Sequence, residues 1–469
     1  MPSKPTLNED QKEVFKIIQR FLDSAADTLV LKGNAGTGKT FLMQYVGKWL
    51  NEQKHPFSML ASTGRAAAIL RGKTGFSAKT VHSELYNFNR VEGADDEISE
   101  DATVDKYGQM TMQFSLRRPD EEKCLYIVDE SSMLSSEFSE NDAMLSFGSG
   151  ILMSDLFESV GNNKILFVGD PCQLPPVGQT FSPALDMDWL ATEKRIAIAA
   201  TLTKIERNEA DNDILLLANS LRDLSLQNEW ERFPRIPAKN RHNVTLHADD
   251  EDLLKDYLQS YKEYGVLRTI AIARSNRQVN AINTQTRVAL YGTADLPLQL
   301  DDVLLVVQNN YSVPLTNGDF VVVSSMGDVS THLGMHFLEV KVKSVISDDE
   351  YEMLISLDIL YGGESNFSRE QQRMLMIDFS KRMNKKKIRG NSEAFKEKMR
   401  TDPYLNCLKV KYGYAVTCHK AQGGEWDFVY LFLDKKIYGM PKPEFFRWLY
   451  TAVTRTRKQL HLANGWWIA

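Results

Sequence analysis

The chain has no run of about 18 or more consecutive apolar residues, so no membrane-spanning helix is expected. Cysteine is scarce. Cys124, Cys172, Cys407 and Cys418 are the only four in 469 residues, and they lack the spacing of a metal site. Cys124 and Cys418 stand in apolar runs, as inert core thiols do. The segment Met1–Gln11 is polar and lacks the apolar core of a signal peptide. Together these features point to a reducing, cytoplasmic setting. There is no excess of positive charge either: 56 Lys and Arg against 62 Asp and Glu leave a net charge of −6. That balance does not advertise nucleic-acid binding, but it does not exclude it, because local charge sets a binding channel. Charge is uneven along the chain. Glu92–Asp101 is strongly acidic, and Lys381–Arg389 is basic with no acidic residue. The default reading of each run is a solvated surface. No internal repeat is visible. At 43% apolar and 25% charged the composition is that of a globular protein, long enough for several domains.

One stretch stands out: Gly33-Asn34-Ala35-Gly36-Thr37-Gly38-Lys39-Thr40, a complete G-x-x-x-x-G-K-T phosphate-binding loop. The strand-like run Thr28–Leu31 precedes it, and the helix-like run Phe41–Leu50 follows. In that order the loop's N–H groups cradle phosphates and the helix aims its positive end at them. Lys39 reaches the β- and γ-phosphates, and Thr40 would hold a magnesium ion. ATP or GTP binding is expected.

Other apolar runs read as buried parallel strands with polar groups at their carboxyl ends, where open α/β sheets bind ligands. Phe57–Ala61 precedes a helical stretch at Arg65–Leu70. Cys124–Val128 runs into Asp129-Glu130, and Lys164–Val168 runs into Gly169-Asp170. A second α/β core, discontinuous in sequence, is expected from Thr269–Ala273, a helix over Gln278–Leu290 with Val279, Ile282 and Val288 on its apolar side, Phe428–Phe432, a helix over Phe445–Thr454, and Leu460–Leu462. Between its halves, Asp302–Leu360 holds short strands at Val303–Val307, Phe320–Val323, Phe337–Val342 and Tyr351–Ile355, with a turn at Asn317-Gly318-Asp319, as in a small β-barrel. Ser368–Met399 reads as helical. A mostly polar insert spans about 84–122, with hairpin strands at Gln109–Phe114.

An Asp at the end of a buried strand, beyond a phosphate loop, can hold magnesium through water, and the adjacent Glu can polarise the attacking water. Asp129 and Glu130 fit that pattern. Gln173, in the proline-fixed turn Gly169–Val177, can reach a γ-phosphate or its water.

These three segments, Gly33–Thr40, Asp129–Met133 and Gly169–Val177, resemble motifs I, II and III of superfamily 1 helicases, in the 1B branch that contains RecD, the phage Dda helicase and the Pif-type helicases. Leu60–Ala67 resembles motif Ia, Thr80–Ser83 the branch's Thr-Ile-His-Ser element, Tyr414–Trp426 motif V and Leu449–Arg457 motif VI. The matches run in family order from Gln11 to Arg457. Two departures stand out: Ser62 replaces a common proline in motif Ia, and Asn208, rather than glutamine, follows the motif IV arginine.

The resemblance implies an ATP- and Mg2+-dependent DNA helicase that moves 5′ to 3′ on single strands. Its expected partners are single-stranded DNA, single-strand/duplex junctions, and proteins of repair or replication, with no membrane. A partner-dependent motor that translocates without unwinding alone shares every motif, and RNA as substrate stays open. The implied fold is α/β: two RecA-like P-loop cores with a 1B insert and an SH3-like β-barrel 2B insert. The expected boundaries are 1–200 for core 1A with the insert at about 84–122, 201–296 for the first part of core 2A, 297–407 for 2B with the basic helical segment, and 408–469 for the rest of 2A.

By position, Gln11 would read the adenine, and Lys39 and Thr40 would hold phosphate and metal. Asp129 would be the metal carboxylate, Glu130 the catalytic base and Gln173 the γ-phosphate sensor. Arg455 and Arg207 would be arginine fingers, and Glu425 would approach the ribose. Thr63, Thr80, His82, Thr417, His419 and Lys420 would line the DNA track. The acidic run lies where the branch places its strand-separating pin. The basic run would be a candidate for DNA backbone contact.

Overall fold

Segments dense in Val, Ile and Leu, each ending in a small or polar residue, form strands buried on both faces, the signature of parallel sheets. In the computed structural model, which describes residues 6–92, 111–118, 123–139, 145–204, 213–227, 229–293, 296–310 and 312–469, they assemble into two such sheets. The first has six strands in the order Ala78–Thr80, Phe57–Ala61, Leu125–Asp129, Lys164–Gly169, Thr28–Gly33 and Ala197–Leu202, all paired in parallel. Apolar clusters cover its two faces. The strands that end at Asp129, Gly169 and Gly33 are consecutive neighbours. Their carboxyl ends therefore sit about 5 Å apart, strand to strand.

The second sheet has five parallel strands in the order Val244–His247, Thr456–Ala463, Trp426–Phe432, Thr269–Ala273 and Ala415–Thr417. Its strands come from two separate stretches, as expected of a discontinuous core. Arg455 directly precedes one strand and Glu425 another, so the topology brings both to the same end of this sheet.

A third, antiparallel sheet runs Glu350–Ser356, Met335–Ser344, Phe320–His332, Val303–Val306 and Val410–Tyr412. A bridge between Ile355 and Leu408 curls its outer strands together. Phe320–His332 extends far beyond the expected Phe320–Val323. Its polar second half is held by ladder pairing to Met335–Ser344, with two bulges, and not by burial.

Between residues 84 and 122 the described part is a hairpin, Tyr86–Glu92 against Thr111–Leu116, joined by Leu145–Phe147. Of the expected strand at Gln109–Phe114 the described part, from Thr111, is strand and continues to Leu116; residues 93–110, with most of the acidic run, lie outside the described residues. The helical segment forms two helices, Arg369–Lys385 and Glu393–Arg400. Met376, Phe379, Met383, Phe395 and Met399 pack there in one cluster with Val91 of the hairpin. Asn391 adds a strand-like pairing to Val91, accepting its N–H at 2.7 Å and donating to its carbonyl at 2.9 Å.

One expectation fails. In the helix Asn276–Tyr291, Val279 and Ile282 are buried, but Val288 is 41% exposed. The inward positions are taken by Asn283, Thr286 and Arg287. Asn283 bonds the backbone of Tyr412 and Ala415, and Arg287 pairs with the fully buried Asp302 through Nε (3.2 Å) and an Nη (3.1 Å). A polar cluster that satisfies itself can occupy a core face that an apolar count assigns to valine. No described helix is long and apolar enough to cross a membrane.

Candidate active site

The phosphate loop turns on Gly36 (φ 83°) and Gly38 (φ 79°), both left-handed, where a side chain would be strained. The helix Lys39–Glu52 starts from Gly38. Lys39 Nζ donates to the carbonyls of Gly33 (2.6 Å) and Asn34 (3.1 Å), which hold it against the loop. Gln11 is buried. Its side chain completes the capping box of the helix Glu9–Asp23 with Asn8, and its Nε2 reaches the Thr37 carbonyl at 3.4 Å. It therefore ties the first helix to the loop.

Asp129 and Glu130 turn away from the end of their strand. Glu130 sits at φ 49°, a left-handed conformation that costs a glutamate about 1 kcal/mol. The following turn Ser131–Met133 holds it, with Ser131 Oγ donating to the Val168 carbonyl at 2.9 Å. The Glu130 N–H donates to Asp129 Oδ1 at 2.9 Å. Burial, and then the neighbouring Glu130 charge, push the Asp129 carboxyl up to about 6, while Lys39 and Lys73 pull the other way.

Both carboxylates line a cavity of about 340 Å³ together with Gly36, Gly38, Lys39, Thr40, Gln173, Glu425 and Arg455. Gln173 is 3% exposed, and its Oε1 is buried with no hydrogen-bond partner among the described residues. Glu425 Oε2 lies 3.3 Å from Lys73 and 3.4 Å from Arg457. The Arg455 guanidinium is buried and bonds within its own core, to the carbonyls of Thr451 (3.0 Å) and Gly424 (3.3 Å) and to Thr454 Oγ1 (3.1 Å). One cavity thus gathers groups from two separate sheets. Arg207 lies outside the described residues. Thr40 and Asp129 both offer oxygen donors to this cavity, the kind a hard divalent cation takes, and such a cation would draw down the raised Asp129 carboxyl.

Contacts that the motifs did not announce also join the two sheets at this cleft. Tyr450, on the helix Lys442–Val453, donates to the fully buried Asp170 at 2.6 Å and accepts the N–H of Ala35 at 3.0 Å. Thr451 Oγ1 accepts the Leu174 N–H (3.0 Å), and Gln422 Nε2 donates to the Leu174 carbonyl (3.1 Å). Arg65 is buried with its guanidinium 4.1 Å from the Trp426 ring centre and 5.0 Å from that of Phe320. A tyrosine in an apolar helical pattern reads as core, so no sequence signal singled out Tyr450.

A second cavity, of about 540 Å³, has Thr80, His82, Tyr86, Phe88, Phe114 and Phe147 on one wall and Asn310, Val313, Pro314, Arg400 and Lys409 on the other. Of the residues expected on a DNA track, Thr80 and His82 line it, whereas Thr63, Thr417, His419 and Lys420 do not. Thr63 and Thr80 use their hydroxyls as N-caps, to the N–H groups of Ala66 (3.2 Å) and Ser83 (3.1 Å). Burial pushes His82 and His419 below the ordinary histidine value and Lys420 below that of lysine. His82 packs 5.8 Å from Tyr86 and 6.2 Å from Phe147, ring centre to ring centre, which makes it part of an aromatic wall more than a cation. In the basic run, Arg382 is claimed by Asp378 (2.7 Å) and Asp402 (2.5 Å), whereas Lys385, Lys386, Lys387 and Arg389 are exposed.

Comparison with known proteins agrees with this geometry. Residues 6–232 match an AAA domain, and residues 412–463 match a UvrD-like helicase C-terminal domain. The ATP-dependent DNA helicase Pif1 of Psychrobacter sp. (strain PRwf-1) is 22% identical over 309 residues, which cover 61% of this chain and 43% of that protein. An uncharacterized protein of Methanocaldococcus jannaschii is 21% identical over 497 residues, covering 98% and 39%. The chain therefore spans less than half the length of these two relatives. A Bacteroides Pif1 helicase in complex with ADP-AlF3 and single-stranded DNA has the same fold, with a TM-score of 0.51 at 15% identity, covering 98% of this chain and 93% of that one. A Pif1 helicase structure concerned with unwinding at forked double-stranded DNA also gives 0.51, at 16% identity over 98% and 92%. Fold and cleft define a P-loop protein built on two RecA-like cores. Within that class, the two domain matches and the likeness to Pif1 helicases support a superfamily 1B helicase of the Pif1/RecD-like kind.

Proposed function

We propose that this chain is an ATP-dependent DNA helicase that moves 5′ to 3′ on single-stranded DNA and separates duplex strands as it goes. One observation carries the reading: the phosphate loop, Asp129, Glu130 and Gln173 of the first sheet share a cavity with Glu425 and Arg455 of the second. A cavity built from two cores links hydrolysis to their relative motion, because transition-state charge is neutralised only when both are in place.

In this reading the loop N–H groups and Lys39 bind the phosphates, and Gln11 meets the adenine beside Thr37. Glu425 approaches the ribose. Thr40 and Asp129 would hold Mg2+, which when bound neutralises charge on the β- and γ-phosphate oxygens. Glu130 takes the proton of the attacking water, and Gln173 orients that water with its Oε1, which has no partner among the described residues. Arg455 exchanges the carbonyls of Thr451 and Gly424 for phosphate oxygens as the cores close. Arg207 acts as a second finger.

The aromatic-walled cavity suits bases stacked without sequence preference, which fits a single strand threaded between the hairpin and the antiparallel sheet. Polarity rests on the family. Four strands of the antiparallel sheet make an SH3-like 2B insert at 297–407, which follows core 1A (1–200) and lies between the two parts of core 2A (201–296 and 408–469); its fifth strand, Val410–Tyr412, comes from the second of these parts.

ATP turnover with and without single-stranded DNA tests the proposal. Stimulation by the strand is expected, together with loss of turnover in Lys39→Ala and tight ATP binding with slow hydrolysis in Arg455→Ala. Normal turnover in Lys39→Ala would overturn the nucleotide-site assignment. A strand without effect on turnover would overturn the DNA motor.

A further inference from the structure

The outer edge of the second sheet brings two histidines and a carboxylate together. His247 ends the edge strand Val244–His247, and His461 lies in the neighbouring strand Thr456–Ala463. Asp256 comes from the helix Asp250–Tyr264, which packs over both. His247 Nε2 and His461 Nδ1 are 3.1 Å apart. Asp256 Oδ2 is 3.1 Å from His461 Nδ1 and 3.5 Å from His247 Nε2. A tetrahedral zinc site with bonds of about 2.0–2.1 Å has ligand-to-ligand edges of roughly 3.3 Å. All three separations fall within a few tenths of an ångström of that edge.

The surroundings suit a metal. His247 Nδ1 faces Asp252 Oδ2 at 3.4 Å, a carboxylate that would hold the Nδ1 proton and turn Nε2 inward, as carboxylates do behind metal-bound histidines. His461 is stacked on Tyr430, with ring centres 4.1 Å apart, which fixes its plane. Tyr430 in turn donates to Asp256 Oδ2 at 2.8 Å. Both imidazoles are 8% exposed. Asp256 and His461 border a surface cleft of about 350 Å³ that gives water access to a fourth position.

We propose that His247, His461 and Asp256 bind a single divalent transition-metal ion of the zinc type, with water from the cleft as the fourth ligand. The two nitrogens and one oxygen select zinc over magnesium or calcium, which take oxygen donors. The ion fastens the edge strand, the helix and the final strand to one another. Nothing in the residue spacing hints at the site, because its ligands come from positions 247, 256 and 461.

The test is calorimetric titration of the untagged, metal-stripped full chain with Zn2+, and of the same protein with Co2+ followed by visible absorption. The expected result is one ion per chain, with the intense d–d bands of tetrahedral cobalt. His247→Gln and His461→Gln should each weaken zinc binding by roughly a hundredfold or more, and Asp252→Asn by roughly tenfold. Unchanged magnesium-dependent ATP turnover in these variants would show that they fold. Undetectable zinc binding by the wild type, or full-affinity binding by the His247→Gln/His461→Gln double variant, would overturn the proposal.

Discussion

Tyr450→Phe removes a single oxygen from the junction between the two cores, and the geometry sets the size of the effect. That oxygen donates to Asp170 at 2.6 Å and accepts the Ala35 N–H at 3.0 Å. The bond to a carboxylate with no exposed surface is worth about 1.5–3 kcal/mol, and the bond from the backbone about 1 kcal/mol. Asp170 keeps one bond, from the Cys172 N–H at 2.9 Å, so the carboxylate is not wholly abandoned. Together the loss is about 3 kcal/mol, or roughly a hundredfold in the equilibrium between a docked and a released phosphate loop. Amide hydrogen exchange of the nucleotide-free protein reads this directly. The Ala35 amide should exchange about a hundred times faster in Tyr450→Phe, with little change in peptides of the antiparallel sheet. Asp170→Asn, which keeps a neutral acceptor, should give a smaller acceleration. Equal protection of Ala35 in wild type and Tyr450→Phe would refute the idea that this tyrosine holds the loop to the second core.

Other consequences follow from the same junction and from the cavities. Arg65→Ala should lower DNA-stimulated turnover at least about tenfold, and Arg65→Lys should not restore it, because an ammonium cannot stack its plane against Trp426 and Phe320; full activity of the lysine variant would count against the stacking role. The Asp129 carboxyl titrates near 6 in the folded protein against an ordinary 3.8. The folded state therefore holds the extra proton between those values, and stability falls as pH rises through that window and stays lower above it. Asp129→Asn should accordingly melt higher than wild type at neutral pH without magnesium, with the advantage shrinking as pH falls towards about 4, while ATP turnover is lost. Identical melting of the two proteins across that range would contradict the assignment. Phe147→Ala should weaken single-stranded DNA binding roughly tenfold, the loss of about one stacked base, in a fluorescence anisotropy titration. Unchanged affinity would remove that wall from the DNA path.

The residues nominated for phosphate chemistry gather in one cleft for a reason visible in the sequence. Lys39, Thr40, Asp129, Glu130 and Gln173 each follow an apolar run, and parallel sheets present their carboxyl ends on one side, whereas Glu425 and Arg455 precede strands of the second sheet. The strand Thr269–Ala273 matches its expected span end to end, because five apolar or β-branched residues between polar neighbours leave little choice. What escaped the sequence depends on partners far along the chain. The second half of Phe320–His332 is polar and becomes a strand through its ladder. Val288 faces solvent because Asn283 and Arg287 find partners at Tyr412, Ala415 and Asp302. The Tyr450–Asp170 bond spans two cores, and the histidine pair spans most of the second. The hydroxyls of Thr63 and Thr80 cap helices, a local role that their motif context hid. Periodicity reports burial and motif spacing reports local turns; neither reports which distant polar groups will meet.

The most direct test of the central claim is ATP-driven unwinding of two partial duplexes, one with a 5′ single-stranded tail and one with a 3′ tail. Unwinding of the 5′-tailed substrate alone is expected, abolished by Lys39→Ala. Unwinding of only the 3′-tailed substrate would contradict the polarity, and unwinding of neither, with turnover still stimulated by single strands, would contradict autonomous strand separation and leave a motor that needs a partner.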